Sequence, residues 1–467
     1  MKYLVQNTLV VGLLTALFVR RNYGQAVHLL VADSCEAVDE PIIRLGPETL
    51  NFIVRDLGIS LTELMTGQDP GVFCLGMQLK PSSFSEISVV AHVPARAQIS
   101  AMPANYAVER FRRVGGMEKL EQYSLAAQMI KANAMVLPNK KGECPLGDDE
   151  IGISIRLSHL RGLLIARLKT FGVMVIQKNT MVISVDSDGV QAQFIDGSRK
   201  EFDAIISTAP NYELFGRVQL QQTVQWVTTD RLPAPSAELT LDVRGWMIMD
   251  AVAQGKRCEI RSIGWGDKAQ ASMHNSVGDG EIKHISAAWF GAYWQDRIVC
   301  LSDSQFFGAE FLLDPLQPVI KVVQLLTHIL PVQTSADLLA RYFNERVQAI
   351  SLACREYIIA HLIESSIENI QDLVSEQDRA LYWQRKTIYQ TLGEPVQPAA
   401  NLISDGIWAA FWHAHSIYPQ SASNLLRSFD LDETLHQART IESNITEIIP
   451  RLPTHQYYIS LLNGGGV

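Results

Sequence analysis

The opening stretch of the chain contains the first residues whose types and spacing could do chemistry. A strand-like run around Tyr3 is followed by an apolar run over residues 9–19 and by the run AVHLLVADS, which includes Asp33. In a dinucleotide-binding βαβ unit, an acidic residue at the end of the second strand binds a ribose hydroxyl. The order strand, helix, strand, acid therefore predicts such a unit, with Asp33 as the ribose-binding residue.

The phosphate-binding half of that motif is missing from the sequence. Aligning LVQNTLVVG under a strand followed by G-x-G-x-x-G places Gln6, Thr8 and Val11 where three glycines belong. Those glycines let the backbone approach a pyrophosphate and let the helix pack closely on the strand. The side chains at these positions predict a βαβ fold that lacks its phosphate cradle.

The same stretch allows three other interpretations. Its apolar run has the length of a signal-peptide core, but it is shorter than the roughly 18 to 20 residues of a membrane span, so a spanning anchor is not expected. A double Arg at 20–21, where a small-residue cleavage site would be needed, weakens the secretory interpretation. An ordinary buried helix after a buried strand remains an open alternative.

Two histidines and an aromatic cluster are the other candidates for a site. The i, i+2 spacing of His413 and His415 places them on different sides of a helix without a nearby third ligand, so a metal site is not expected. No G-x-S-x-G elbow, Walker loop or H-E-x-x-H motif supports a hydrolase, kinase or metalloprotease. An aromatic cluster could line the pocket of a flat aromatic ligand, although such clusters are more often core or interface. It consists of Trp289, Phe290, Tyr293 and Trp294.

Composition limits the class of protein. A chain of 467 residues exceeds what one hydrophobic core usually supports, so two or more lobes are expected. A net charge of −9 without a dense Lys/Arg run argues against nucleic-acid binding and favours a small-molecule or protein partner. Six cysteines without a C-x-x-C pair indicate neither a disulfide framework nor a zinc site, which favours a reducing cytoplasm.

Hydrophobic periodicity predicts the elements that would position these residues. Apolar residues at Leu50, Ile53, Val54 and Leu57 predict an amphipathic helix closed by Gly58. The run GVFCLGMQLK is strand-like, and residues 81–150 have the irregular texture of an insertion or cap region.

The second half of the predicted core contains a helix, a meander and a buried strand. The helix lies within residues 155–173, with Ser158 as a candidate N-cap and a Phe-Gly stop. Turns at 188–189 and 196–197 predict a three-stranded meander, and a buried strand ends near Ser207. From Gln324 onward the periodicity is helical. The fold class expected from this pattern is α/β with a helical C-terminal region.

This order resembles the two-dinucleotide-binding fold of flavin monooxygenases and, beyond the fold, the flavin-dependent tryptophan halogenase family. LNFIVRDLGI followed by GVFCLGMQL is similar to the family's helix and F-K-L-G-I strand. RIVCLSDSQFFGAEFLLDPLQP resembles the strand, Gly-Asp and Pro-Leu segment along the flavin ribityl chain. RYFNERVQAI, REYIIAHLI and Trp383 resemble the helical C-terminal region.

The resemblance implies an FAD site and a domain division. FAD would be bound by Asp33, Asp303, Pro315 and Leu316 if it binds at all. Residues 1–325 would form the FAD-binding-type α/β core, with inserted substrate or cap regions at about 75–150 and 215–295. Residues 326–467 would form the helical C-terminal region.

Departures from the family pattern are concentrated at the functional motifs. Cys74 stands where the family has the Lys that activates hypohalous acid, and a thiol carries no ammonium and is itself oxidised by such a reagent. Of the W-x-W-x-I-P motif only Trp246 remains, and Ser302 replaces the Gly of Gly-Asp. The small residues that bind halide and flavin through backbone N–H groups are replaced by residues 317–320, where Pro318 has no N–H to donate.

Three hypotheses follow from the resemblance and the departures. The first is an FAD-dependent monooxygenase or halogenase with an altered site, acting on tryptophan or an indole-like substrate. The second is a non-catalytic relative that binds a protein partner, such as a homologous halogenase or a second copy of itself. The third is a flavin-free protein that binds a small aromatic or hydrophobic ligand. The motif losses favour the second and third, with FAD binding weak or lost.

Overall fold

A computed structural model gives the architecture of the chain. It describes residues 2–6, 10–24, 28–32, 42–67, 70–80, 89–91, 98–99, 102–115, 120–136, 151–176, 180–185, 189–194, 196–207, 217–229, 236–242, 246–254, 257–265, 281–290, 292–301, 314–330, 336–364, 374, 376–393, 402–420 and 430–463.

The strands in the described part are numbered in chain order. They are β1 (Lys2–Gln6), β2 (His28–Ala32), β3 (Ile42–Leu45), β4 (Val72–Cys74), β5 (Gly76–Lys80), β6 (Val89–Ala91), β7 (Gln98–Ile99), β8 (Met102–Pro103), β9 (Gly152–Arg156), β10 (Met174–Ile176), β11 (Thr180–Val185), β12 (Val190–Phe194), β13 (Arg199–Phe202), β14 (Ala204–Ser207), β15 (Arg217–Thr229), β16 (Ser236–Asp242), β17 (Trp246–Gln254), β18 (Arg257–Trp265), β19 (Glu281–Phe290), β20 (Trp294–Gln295) and β21 (Ile298–Cys300).

The helices are numbered in the same way. They are α1 (Val10–Tyr23), α2 (Pro47–Asn51), α3 (Leu61–Met65), α4 (Ala104–Arg113), α5 (Leu125–Lys131), α6 (Leu157–Thr170), α7 (Gln317–Ile329), α8 (Ala336–Glu364), α9 (Glu376–Leu392), α10 (Asp405–Ala414), α11 (Leu431–Ile448) and α12 (His455–Asn463). A π-helical turn, Phe52–Asp56, continues α2, and 3-10 turns span Leu120–Tyr123 and Ile449–Arg451.

The central sheet has six strands in the order β10-β2-β1-β14-β21-β20. β1 pairs in parallel with both β2 and β14, and only β20 runs antiparallel to its neighbour β21. α1 connects β1 to β2 and packs between α6 and α7. The predicted βαβ unit is therefore confirmed, and the opening apolar stretch is its first strand and helix.

The described strands form four further sheets, the smallest of which is the antiparallel pair of β7 and β8. β11, β12 and β13 form the predicted antiparallel meander, with Gly197 at φ +81° in its second turn. A seven-stranded sheet has the order β19-β15-β18-β17-β16-β5-β6. β3, β9 and β4 form a small antiparallel sheet between α2 and the region around α5.

Several helical predictions are confirmed. The helix predicted at residues 50–57 is α2 with its π-helical turn, closed by Gly58 at φ +72°. The Phe-Gly stop of α6 is also observed, with Gly172 at φ +69°. The C-terminal region is helical from α7 onward throughout the ranges that the structure covers.

Other details of the sequence prediction are wrong. Ser158 is not the N-cap of α6, because the helix begins after Arg156 and Ser158 lies inside its first turn. The strand-like character of residues 71–80 is confirmed, but the run forms two strands, since β4 and β5 belong to different sheets and separate at Leu75. The interval 81–150 is not irregular throughout, because it contains α4 and α5.

The largest core cluster joins the N-terminal α/β part of the chain to the helical region. It contains α1 and α6 residues together with buried residues of α7, α8 and α10. Among the described helices, none combines the length and the apolar character needed to cross a bilayer. α7 crosses the proposed boundary at 325/326, and the division of the chain into two regions there stays a prediction.

Candidate functional site

The carboxyl end of the central sheet is the first place where a site is expected. Gln6 is the last residue of β1 and pairs with Ala32 of β2 and Ser207 of β14. α1 begins four residues later, so its N-terminus lies where βαβ units bind a diphosphate. Gln6 is 8% exposed and Val11, in the first turn of α1, is 2% exposed. Both side chains are packed into the protein, at the positions where the sequence alignment predicts the glycines of the dinucleotide motif.

Three other positions of the predicted dinucleotide site fall outside the described part of the chain. Thr8, Asp33 and Asp303 lie outside the described residues, so their roles stay predictions.

Cys74 is the last residue of β4 and is paired with Gly152 of β9. Its side chain is 3% exposed, and its thiol donates a hydrogen bond to the carbonyl of Gly76, with Sγ and O 3.4 Å apart. A thiol in this setting is a weak donor to a neighbouring carbonyl and carries no fixed positive charge.

Two polar residues share one face of the small sheet with Cys74. Ser154 of β9 pairs with Arg44 of β3 on one side and with Val72 of β4 on the other. Because strand side chains alternate, Arg44, Ser154 and Cys74 lie on the same face. Arg44 is 5% exposed and Ser154 is 3% exposed. Within the described part of the chain, the Ser154 hydroxyl has no hydrogen-bond partner.

Sequence reasoning missed Arg44 and Ser154. A cation buried in an otherwise aliphatic strand, IIRL, is the signal that could have drawn attention to Arg44. Its juxtaposition with Ser154 depends on the register between β3 and β9, which no local pattern specifies.

Asp314, just before the Pro-Leu turn, packs on the N-terminus of α2. One carboxylate oxygen accepts a hydrogen bond from the backbone N–H of Thr49, at 3.3 Å. A Cβ added to Gly46 would lie 2.7 Å from that oxygen, so the carboxyl occupies the space that glycine leaves. Burial raises the pKa of the Asp314 carboxyl to about 6, and the hydrogen bonds from Thr49 oppose that shift.

The turn that follows Asp314 starts α7. Pro315 is half-buried, and Leu316 is 4% exposed as the N-cap residue. The backbone N–H of Gln317 donates to the carbonyl of Asp314 at 3.2 Å, and its side-chain amide donates to Glu48 of α2. Pro318 follows in the first turn. The backbone N–H of Gln317, the first residue of α7, is therefore used within the turn, and Pro318, the second residue, has no backbone N–H.

The two histidines have separate environments, as their spacing predicts. His413 Nε2 lies 2.9 Å from the hydroxyl of Tyr389. His415 instead faces Phe411 and His361. In the described ranges, no group of three or more His, Cys, Asp or Glu side chains is arranged to hold a metal ion.

Two members of the aromatic cluster are core residues. Tyr293 is 1% exposed, and Trp294 is 8% exposed and contacts Phe343 of α8 edge-on at 5.6 Å. The prediction that these residues belong to the core is confirmed for this pair.

Comparison with known proteins identifies the architecture. No family model matches the chain, and no curated protein matches it in sequence. Solved structures match over its full length. A flavin-dependent halogenase from Brevundimonas sp. BAL3 has a TM-score of 0.81 at 16% identity, with 99% of each chain covered. The chain has the flavin-dependent halogenase fold.

Two other halogenases give the same result. A flavin-dependent halogenase from Xanthomonas campestris has a TM-score of 0.78 at 14% identity, covering 98% of this chain and 97% of that one. A tryptophan 6-halogenase from Streptomyces toxytricini has a TM-score of 0.80 at 13% identity, covering 99% of both. The fold inferred from the sequence resemblance, α/β with a helical C-terminal region, is thereby confirmed.

Proposed function

We propose that this chain is a divergent protein of the halogenase fold that does not halogenate, and that it acts by binding a partner. The partner is a protein, such as a homologous halogenase or a second copy of this chain, or a small aromatic molecule. The same proposal places the protein in the cytoplasm, where unbridged thiols such as those of Cys74, Cys300 and Cys354 persist.

The observation that carries this proposal is the environment of Cys74. Halogenation in this fold would need a group that holds and activates hypohalous acid beside the substrate, and a lysine ammonium does this as a cation that donates hydrogen bonds. The Cys74 thiol is buried and directed to the Gly76 carbonyl. It supplies neither a positive charge nor a strong donor.

Weak or absent FAD binding is the second element of the proposal. FAD would bring the oxygen chemistry of the fold, and its diphosphate needs close backbone approach at the start of α1. Gln6 and Val11 fill two of the three positions where that approach requires glycine. The described residues at this edge of the sheet do not fit a diphosphate bound in the usual manner.

The start of α7 supports the same conclusion for a halide. A halide bound through backbone amides needs N–H groups that point away from the helix. Here the Gln317 amide is used by Asp314, and Pro318 has none. When ionised, the buried Asp314 carboxyl would also repel an anion at this place.

A second candidate function is an FAD-dependent monooxygenase or halogenase with an altered site, acting on tryptophan or an indole-like substrate. The observation in its favour is the full-length match, with 97–99% of three halogenases covered, two of them described as flavin-dependent. This candidate requires that the architecture still accommodates a cofactor and a substrate.

A halogenation assay separates the two candidates. The purified chain is incubated with tryptophan or indole, bromide or chloride, FAD, NADH and a flavin reductase, and products are followed by mass spectrometry. We expect no halogenated product from the wild type or from Cys74→Lys, because the flavin and halide positions are altered as well.

The variants make each outcome informative. Cys74→Ser removes the thiol without adding a charge and controls for packing at this buried position. Product from the wild type would overturn the proposal. Product from Cys74→Lys alone, with Cys74→Ser inactive, would show that flavin still binds and would favour the second candidate.

A further inference from the structure

Helix α10 lies between two separate cores. Ala409 and Ala410 belong to a cluster with α4 and the 3-10 turn at Leu120–Tyr123. Trp408, Phe411 and Trp412 belong to the large core that also contains α8 and α9. α10 therefore joins the helical C-terminal region to the segment around α4, which lies within the predicted cap region.

The side of α10 that faces α8 surrounds a buried histidine. The ring of His361, on α8, contacts Phe411 at 4.6 Å, Tyr357 at 4.7 Å and His415 at 6.1 Å between centroids. His361 is 0% exposed. Among the described residues, neither of its ring nitrogens finds a hydrogen-bond partner.

A second buried histidine lies on α10 itself. His413 is 1% exposed, and its Nε2 meets the Tyr389 hydroxyl of α9. Its ring also contacts Tyr418, and the guanidinium of Arg112, from α4, lies over that tyrosine ring at 4.6 Å. Its Nδ1 has no partner in the part of the chain that the structure covers.

Ion pairs engage the carboxylates on the neighbouring helices, and the buried Glu356 of α8 pairs with Arg385 of α9 at 2.7 Å. Glu364, one turn beyond His361 on α8, is bound by Lys386 and Tyr382 of α9. Glu109 of α4 is bound by Arg112 and Arg113. The groups that face the histidines directly are therefore neutral aromatics, another histidine and, through Tyr418, a cation.

Protonation of either ring would leave a poorly compensated cation in an apolar interior, which is strongly unfavourable. Burial, and then the neighbouring His415, lowers the pKa of His361 well below its ordinary value. Burial, and then Arg112, lowers the pKa of His413 to about 3. Both rings are neutral in the folded chain at neutral pH.

We propose that α10 is an acid-released wedge: as pH falls, proton uptake at His361 and His413 drives α10 out from between α8, α9 and α4. The large core and the α4 cluster then separate, while the central sheet stays folded. The device needs no cofactor and does not depend on the function proposed above.

The direction of the pH dependence follows from linkage. Once α10 is released, each histidine titrates near its ordinary value of about 6.5, so the open state binds more protons than the closed state below that pH. The opening constant is the ratio of open to closed chains at equilibrium. Each histidine raises it about tenfold per pH unit as pH falls from about 6.5 toward the pKa of that histidine in the closed state. The closed state is therefore most stable relative to the open state above about pH 6.5, and this stability is lost on acidification.

The experiment measures opening in the intact chain by tryptophan fluorescence, since Trp408 and Trp412 lie on the wedge. Urea-induced opening of the wild type, His361→Leu and His413→Gln is followed from about pH 7.5 to about pH 4.5. We expect the wild-type opening constant, divided by that of either variant, to rise about tenfold per pH unit below 6.5. His436→Gln, at an exposed position on α11, should leave the wild-type pH dependence unchanged.

A pH-independent ratio for both variants would overturn the proposal. If neither variant folds, hydrogen exchange of the wild type at about pH 7 and pH 5, corrected for intrinsic rates, decides the question. Loss of protection in residues 405–414 before β1 and β14 supports the wedge. Simultaneous loss in the sheet, or full protection of α10 at pH 5, contradicts it.

Discussion

At the residue scale, Gly46 and Asp314 form a contact that glycine alone allows. The glycine has φ −71° and ψ 171°, an extended conformation open to any residue, so its backbone is not the reason for its place. The reason is space, because an added Cβ would lie 2.8 Å from the Asp314 Cβ and 2.7 Å from a carboxylate oxygen. The N-termini of α2 and α7 are held together through this contact.

We predict that Gly46→Ala destabilises the protein by about 1–3 kcal/mol through overpacking. Gly162→Ala is the matched control, because Gly162 lies within α6 with nothing within 4 Å of an added Cβ. In that helix, alanine should stabilise by about 0.5–1 kcal/mol. Urea unfolding measures the free energy of unfolding of both variants. Equal values for the two would show that the Gly46–Asp314 contact does not limit the size of the residue at 46.

The burial of Asp314 also leads us to expect that the stability of the protein depends on pH. Its carboxyl pKa is raised to about 6 by burial, so its stabilising contribution is present below the unfolded value of 3.8 and is lost as pH rises through about 6. Asp314→Asn should therefore match the wild type near pH 4 and exceed its stability by about 1–3 kcal/mol near pH 7.5. The free energy of unfolding across this range tests it, and a variant that is less stable throughout refutes the assignment.

At the element scale, the helices, strands and turns that the sequence predicted correctly are those set by interactions between residues close together in the chain. The β1-α1-β2 unit, the helix ending at Gly58 and the meander all follow from periodicity and turn residues a few positions apart. The division of β4 from β5 and the neighbourhood of Cys74 could not be predicted in the same way. Both depend on pairing with distant strands, and Arg44 and Ser154 are 110 residues apart in the chain.

Helix capping shows the same limit on a smaller scale. Ser158 precedes a leucine-rich run in the sequence but lies inside the first turn of α6. Ser60 forms a capping box at α3, where its hydroxyl accepts from the Glu63 N–H at 3.2 Å and the Glu63 carboxylate accepts from the Ser60 N–H at 2.7 Å. Of these two serines, Ser60 caps a helix and has an acidic residue three positions later, whereas Ser158 has Arg161 there.

We predict that Ser60→Ala costs about 1 kcal/mol of stability, because it leaves the first turn of α3 without its acceptor. Ser158→Ala, at an exposed position in the first turn of α6, should change stability by less than about 0.5 kcal/mol. Thermal unfolding of the pair provides the comparison. Equal effects would mean that the capping box does not contribute.

At the scale of the whole molecule, the function proposed here requires that the fold is kept while the chemistry of the site has changed. The architecture matches halogenases over almost its entire length at 13–16% identity. The described positions that the sequence resemblance predicts for binding a flavin and a hypohalite, namely 6, 11, 74, 317 and 318, carry residues of other chemical types. A fold is maintained by many interchangeable apolar contacts, whereas a site depends on a few specific groups.

Binding of FAD to the purified chain tests this account most directly. Absorbance and flavin fluorescence are titrated with FAD, with the triple variant Gln6→Gly, Thr8→Gly and Val11→Gly beside the wild type. We predict a colourless preparation with a dissociation constant weaker than roughly 10 μM, and tighter binding by the triple variant because it reopens the diphosphate position. A yellow wild-type protein with stoichiometric FAD would contradict the account.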